Sequence, residues 1–363
     1  MNEKSQTSAD NAKAGSSLIL QSRSVDKINR IILHIGTRKT GSTSLQNRLR
    51  ENQNILLEQG FKLVVERGQP FKKIFLDIRS GNESWMNLVG ECLADAKEHE
   101  ASNLIISSED LFYLNEWKIA ELITYCKAHA KKVEVYGFFR RQDDYIESSY
   151  TQYTTGGIWV GNIQNDFESF LKATIPNIDY KYRIDKWVAA CGKRYFKPTF
   201  YVQANTTEIF LKKIGLNLPE ENPDGLRNKR KPVDLLRGTI FVGERMADHY
   251  GFAKHSFSDL NRHFDFRGKI RRPLSRACEK NTMGEGKYCF LTNQNMKIIE
   301  YEFMKMNEEI MNEFKGNYDE RFADFSRTDR QLSYLSVEHM NNLTIEALMD
   351  LLSCQLAELG RKG

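Results

Sequence analysis

Gly36-Thr37-Arg38-Lys39-Thr40-Gly41-Ser42-Thr43-Ser44-Leu45 follows the apolar run Ile31-Ile32-Leu33-His34-Ile35 and leads into a segment with leucines at 45 and 49. The apolar run predicts a strand buried on both faces, and the segment after the loop predicts a helix. A strand, a glycine loop and a helix N-terminus together form an anion site, because backbone N–H groups converge there and the helix dipole favours negative charge. The loop comes close to the phosphate-cradling pattern G-x-x-x-x-G-K-[ST]. Gly36, Gly41 and Thr43 fit it, but Ser42 stands in the lysine position and the lysine lies further back, at Lys39. Glycines at such a junction can also serve only a tight turn. Two cations and the hydroxyls of Thr40, Ser42, Thr43 and Ser44 weigh against that, since these are the groups a cluster of anionic oxygens requires.

Outward from the loop, short apolar runs alternate with helical patterns. Strands are expected at 31–35, 61–65, 103–107, 133–139 and 195–203. Helices are expected at 43–58, 84–99, 116–129, 142–154, 180–191, 206–214, 233–249, 292–314 and 343–359. The alternation predicts an α/β fold, a three-layer sandwich around a parallel sheet, with ligands beyond the carboxyl ends of the strands. Residues 1–27 are polar and predict a disordered tail. A domain over 28–325 follows, with a basic loop insertion at 254–289, and 326–363 reads as a helical extension.

Composition narrows the class. Of 363 residues, 40% are hydrophobic and 28% charged, which suits a globular chain. No apolar run reaches the roughly 18 residues of a membrane helix, and Leu18-Ile19-Leu20 is too short for a signal-peptide core. Six cysteines lack metal-ligand spacing, so thiols in a reducing, cytoplasmic setting are expected. A net charge of +5 allows an acidic substrate without implying nucleic acid.

A second constellation is Arg140-Arg141-Gln142-Asp143-Asp144-Tyr145-Ile146-Glu147-Ser148. Arg140 leaves the strand 133–139, and Ser148 lies about two turns into the next helix. Together they can grip one phosphate from two sides. Alone, the segment is a polar helix face.

With both motifs in view, the chain resembles the sulfotransferases that use 3′-phosphoadenosine 5′-phosphosulfate (PAPS), nearest their carbohydrate-acting, heparan-type branch. The loop from Gly36 to Leu45, with Arg38-Lys39, resembles their 5′-phosphosulfate loop. Arg140 and Ser148 match their 3′-phosphate motif in type and spacing. Weaker support comes from Tyr180 to Trp187, Phe210 to Leu216 and Asn307 to Ile310. Arg141-Gln142 departs from the Asn-Pro pair often found there, and Ser42 replaces the commoner threonine. A late cationic contact of the kind the cytosolic small-molecule branch has could come from Arg271, Arg272 or Lys287.

The resemblance implies a P-loop-like sulfotransferase fold and transfer of a sulfuryl group from PAPS to a glycan hydroxyl. The acceptor would be a bacterial-type glycan or polysaccharide, and the product 3′-phosphoadenosine 5′-phosphate (PAP). Arg38, Lys39, Thr40, Gly41, Ser42, Thr43, Ser44, Arg140 and Ser148 would hold the donor, with Lys39 catalytic at the bridging oxygen and no metal. Glu109 and Glu66, each after a strand, compete for the role of general base, since a carboxylate beside an anionic ligand has a raised pKa. His34 is a third candidate, although its place inside a strand favours a core role. The aromatics Tyr145, Tyr150, Tyr153 and Trp159 and the basic stretch 254–289 suit an acidic sugar chain, or, for the aromatics, helix packing. A P-loop kinase or nucleotide hydrolase and a non-catalytic sulfonucleotide- or glycan-binding protein are the alternatives. The oligomeric state is not encoded legibly.

Overall fold

The computed structural model describes residues 27–64, 72–156, 167–201, 205–219, 290–316 and 322–325, together with Pro273 and Ile345. Five strands form one parallel sheet: β1 (Ile28–Gly36), β2 (Phe61–Leu63), β3 (Asn103–Ser107), β4 (Ala130–Arg140) and β5 (Phe196–Tyr201). Their order is β2-β3-β1-β4-β5, so β1 is central, with Leu33 opposite Ile106 on one side and Val135 on the other. The chain is α/β, with helices on both faces of this sheet.

Alternation along β1 builds two cores. Ile31, Leu33 and Ile35 join one cluster with Leu104, Ile106, Val133 and Val135. Ile32 joins the other with Ile105, Tyr136 and Phe138. A strand covered on both faces loses the polar half of its pattern, which is why β1 is a continuous apolar run. The second face is closed by α1 (Ser42–Glu51), α2 (Gln53–Glu58) and α9 (Thr206–Ile214), through Leu45, Leu49, Leu56, Phe210 and Ile214. The first is closed by α3 (Lys72–Ser80), α4 (Ser84–Glu98), α5 (Glu116–His129), α6 (Gln142–Gly156), α7 (Phe167–Thr174), α8 (Tyr180–Cys191) and α10 (Asn293–Glu313).

All five expected strands are present, and 116–129, 180–191 and 206–214 are helices with the expected bounds. Three differences have physical causes. The helix expected over 43–58 is two, because Asn52 leaves helical geometry and its side-chain amide donates back to the Arg48 carbonyl at 2.8 Å. α3 and α7 were not anticipated. Each buries only one short apolar face, Ile74, Phe75 and Ile78 in α3 and Phe170 and Leu171 in α7, which is less than the window over which helical periodicity becomes legible. The expected helices 233–249 and 343–359, the basic stretch 254–289 and nearly all of 326–363 lie outside the described residues, as does the tail up to residue 26.

Among the described residues no helix is long and apolar enough to cross a membrane. Cys92, Cys126 and Cys191 are buried thiols, and burial pushes Cys126 up to about 12 and Cys191 up to about 11. The described groups that could gather around a metal ion are Asp95, Glu98 and His99, at the end of α4 that leads into the start of β3. Asp95 is already paired with Lys62 there.

Candidate active site

The loop joins β1 to α1 at the carboxyl edge of the sheet. Its entry is fixed at Gly36, which pairs with Phe138 and has φ 153°. Its exit is Gly41, left-handed at φ 81°, whose carbonyl accepts from Ser44 and Leu45 as α1 begins. Between them Lys39 also adopts the left-handed region, at φ 69°. That geometry costs an L-residue about 1–2 kcal/mol, and such strain gathers where function holds a side chain in place.

The hydroxyls divide by role. The Thr40 hydroxyl is buried and donates to the Thr37 carbonyl at 2.9 Å, bracing the loop from within. The hydroxyl of Thr206, at the start of α9, donates to the Thr40 carbonyl. Ser42 is buried, Ser44 half-buried and Thr43 exposed. Arg48 clamps the other end of α1 to α9 through Glu208 and, at 2.9 Å, the Leu218 carbonyl.

Parallel pairing of β1 with β4 brings the second motif to the first. The backbone N–H of Arg140 donates to the Thr37 hydroxyl at 3.3 Å, and its guanidinium donates to the Lys39 carbonyl at 3.3 Å. Its Nε is buried, makes no hydrogen bond among the described residues and lies 4.0 Å from Asp144. The nitrogen and the Asp144 carboxylate face one another as a loose ion pair, and a buried donor left without a hydrogen bond costs about 1–3 kcal/mol. Loss of solvation, and then the charge of Arg140, hold the Lys39 ammonium below the usual lysine pKa. Ser148 lies half-buried on α6 and makes no hydrogen bond among the described residues.

The departure Arg141-Gln142 has a structural explanation. Arg141 is buried, donates to both Asp143 oxygens at 2.7 and 2.8 Å and lies over the Phe325 ring. Gln142 exchanges amide hydrogen bonds with Asn307 of α10 at 2.8 and 2.9 Å. Both residues anchor α6 to the late part of the chain and hold Arg140 at the strand end. Tyr180 assists by donating its hydroxyl to the Arg140 carbonyl at 2.9 Å.

Of the candidate bases, Glu109 opens the 3₁₀ turn Glu109–Tyr113 beside the loop. Its carboxylate accepts from the Gln46 side chain of α1 at 3.1 Å. The next residue, Asp110, pairs with Arg38 of the loop at 2.8 Å. Glu66 lies outside the described residues. His34 is a core histidine. It is buried between Phe138 and Phe210, its Nδ1 meets the Ser107 hydroxyl at 2.9 Å, and burial lowers its pKa to about 3.

The aromatic set resolves towards packing where it is described. Tyr150 is buried among Phe167, Phe170 and Phe290 and has no face left for a sugar, and Tyr145 is buried as well. Trp159 and the Tyr153 side chain are outside the described residues. Gln46 carried no sequence signal, because it becomes part of the site only through a contact with Glu109, 63 residues away.

No family model matches this sequence, and no curated protein does. Among solved structures, the chain is similar to one described as "Sulfotransferase Domain from the Curacin Biosynthetic Pathway", at 13% identity and a TM-score of 0.32, over 54% of this chain and 76% of that one.

Proposed function

We propose that this protein is a sulfotransferase that moves a sulfuryl group from PAPS to a hydroxyl of a carbohydrate. The observation that carries the reading is the meeting of Lys39 and Arg140 at neighbouring strand ends, with a buried Arg140 nitrogen lacking a hydrogen bond. A lysine ahead of the second glycine and an arginine at the next strand suit a ligand with two separate anionic groups.

Lys39, the α1 N-terminus and the hydroxyls of Ser42, Thr43 and Ser44 would hold the 5′-phosphosulfate, and Arg140 with Ser148 the 3′-phosphate. Lys39 then offsets charge that builds on the leaving oxygen, a task for a fixed cation in a partly dry site. The acceptor hydroxyl must lose a proton as its oxygen bonds to sulfur. We assign that step to Glu109, whose carboxylate accepts a hydrogen bond from the Gln46 side chain.

Thermal shift with PAP, ATP and GTP tests the cofactor class, because a ligand that binds only the folded state raises the melting temperature. Stabilisation by PAP together with metal-independent sulfate release from PAPS is expected. Magnesium-dependent turnover of ATP instead would make the protein a P-loop kinase or hydrolase. That reading needs a lysine at position 42 and a carboxylate for the metal, whereas Ser42 is buried and Asp110 is held by Arg38.

Arg140→Ala is expected to weaken PAP binding by about 1.5–3 kcal/mol, the scale of a charged hydrogen bond. Calorimetric titration measures it, and unchanged affinity would remove the 3′-phosphate assignment. Glu109→Gln should lower turnover at least about 100-fold, as for a lost general base. Steady-state kinetics near the wild-type rate would move that role to Glu66.

A further inference from the structure

One hydroxyl from outside both anion-binding motifs reaches the loop. Thr206 is the first residue of α9, is buried, and donates its hydroxyl to the carbonyl of Thr40, 166 residues away in the chain. A Cβ on Gly41 would lie 2.8 Å from that same hydroxyl oxygen, so Thr206 fills the space that a side chain at 41 would need. Thr206 is itself held in place. The Asn205 side chain caps α9 by accepting from the Glu208 amide at 3.3 Å. Glu208 pairs with Arg48 of α1, which also donates to the Leu218 carbonyl at 2.9 Å. Phe210, Leu211 and Ile214 bury the apolar side of α9 against the sheet.

The consequence for the loop follows from its carbonyls. Backbone N–H groups attract an anion and carbonyl oxygens repel it, so a loop that binds one must turn its carbonyls aside. The Thr37 carbonyl accepts from the Thr40 hydroxyl at 2.9 Å, and the Lys39 carbonyl from the Arg140 guanidinium at 3.3 Å. The Gly41 carbonyl accepts from the Ser44 and Leu45 amides. Thr40 lies between left-handed Lys39 and left-handed Gly41, where neither strand nor helix fixes the peptide, and its carbonyl is the one that α9 holds.

We propose that Thr206 is a positioning residue for the anion loop. By drawing the Thr40 carbonyl towards α9, it keeps the amides at the start of α1 and the Lys39 ammonium turned to the phosphosulfate of the donor. The identity of the donor rests on the sulfotransferase reading, whereas the role of Thr206 rests on its contact with the loop. Thr206 acts through the backbone of the loop and not on the ligand.

Calorimetric titration with PAP and with ATP, beside melting temperatures, tests this in wild type and three variants. Thr206→Val keeps the shape and removes the donor, Thr206→Ser keeps the donor, and Asn205→Ala removes the α9 cap alone. Thr206→Val is expected to bind PAP about tenfold or more weakly, the upper scale of one hydrogen bond. Thr206→Ser should bind within about threefold of wild type, since its hydroxyl restores the contact. Asn205→Ala should melt lower, as for a lost cap, and keep wild-type affinity. A threonine with only a structural role would cost no more affinity than the lost cap does. Wild-type affinity in Thr206→Val, or equal losses in Thr206→Val and Thr206→Ser, overturns the role. So does an Asn205→Ala protein that loses as much affinity as Thr206→Val. ATP affinity lost in Thr206→Val and kept in Thr206→Ser, in a protein that does not bind PAP, supports the role while removing the sulfotransferase reading. A wild type that binds neither ligand overturns both.

Discussion

Lys39→Ala is expected to lower sulfuryl transfer by about 100- to 1,000-fold, the range found when one fixed charge-stabilising group is removed from a dry site. Single-turnover transfer measured beside PAP affinity separates the roles. The reading requires the rate to collapse further than the affinity, because the leaving oxygen gains charge only during transfer. If affinity alone falls and no transfer exists to lose, the protein is a binding module.

The fold should survive this change. Desolvation and Arg140 depress the Lys39 pKa in the folded protein. Between the folded and unfolded values the unfolded chain binds more protons, so stability rises with pH through that alkaline window. Below it, at neutral pH, the destabilising charge is fully present. Lys39→Ala is therefore expected to melt no lower than wild type at neutral pH and to lose the alkaline gain. Melting curves against pH check both, and a variant that melts clearly lower would assign Lys39 to holding the loop together.

Gly36→Ala is expected to destabilise the protein by about 3 kcal/mol or more, at or beyond the upper end for overpacking a core. A Cβ there would lie 2.3 Å from the Phe138 carbonyl oxygen and 2.8 Å from its nitrogen, and both are backbone atoms held in the sheet. Phe138 cannot yield without separating β1 from β4, and its carbonyl also accepts from the Thr37 amide at 2.9 Å. The control is Gly215→Ala. Gly215 has φ 78° with nothing within 4 Å of its Cβ position, so only the left-handed cost of about 1–2 kcal/mol applies. Denaturant midpoints for the two variants give the comparison. Equal costs would show that the β1–β4 approach at Gly36 is not the constraint.

Gly36 also marks what local pattern could convey. A strand buried on two faces must be apolar at successive positions, and a glycine must follow where its end meets the neighbouring backbone. Ile31 to Gly36 carries both signals in adjacent residues. For the same reason Asn103–Ser107 and the core of Ala130–Arg140 were recognisable as strands. The bounds of 206–214 were legible too, because Asn205 caps one end and left-handed Gly215 the other.

Arg141 and Gln142 show where local pattern ended. As letters they were departures from a family motif. Their reason is an aspartate two residues on and an asparagine 165 residues away. His34 likewise owes its lowered pKa to burial, against rings such as Phe210 that only the packed sheet brings to it.

The sequence by itself determined the α/β alternation, the loop between β1 and α1 and the polar segment that follows β4. Each of these is written in residues close together in the chain, through periodicity, capping and glycine geometry. Tertiary structure alone decided that Arg140 faces the Lys39 carbonyl, that Gln46 holds Glu109, and that Thr206 reaches the Thr40 carbonyl. Those contacts join residues between 63 and 166 positions apart. Side chains so distant meet only once the parallel strands have fixed which ends lie side by side.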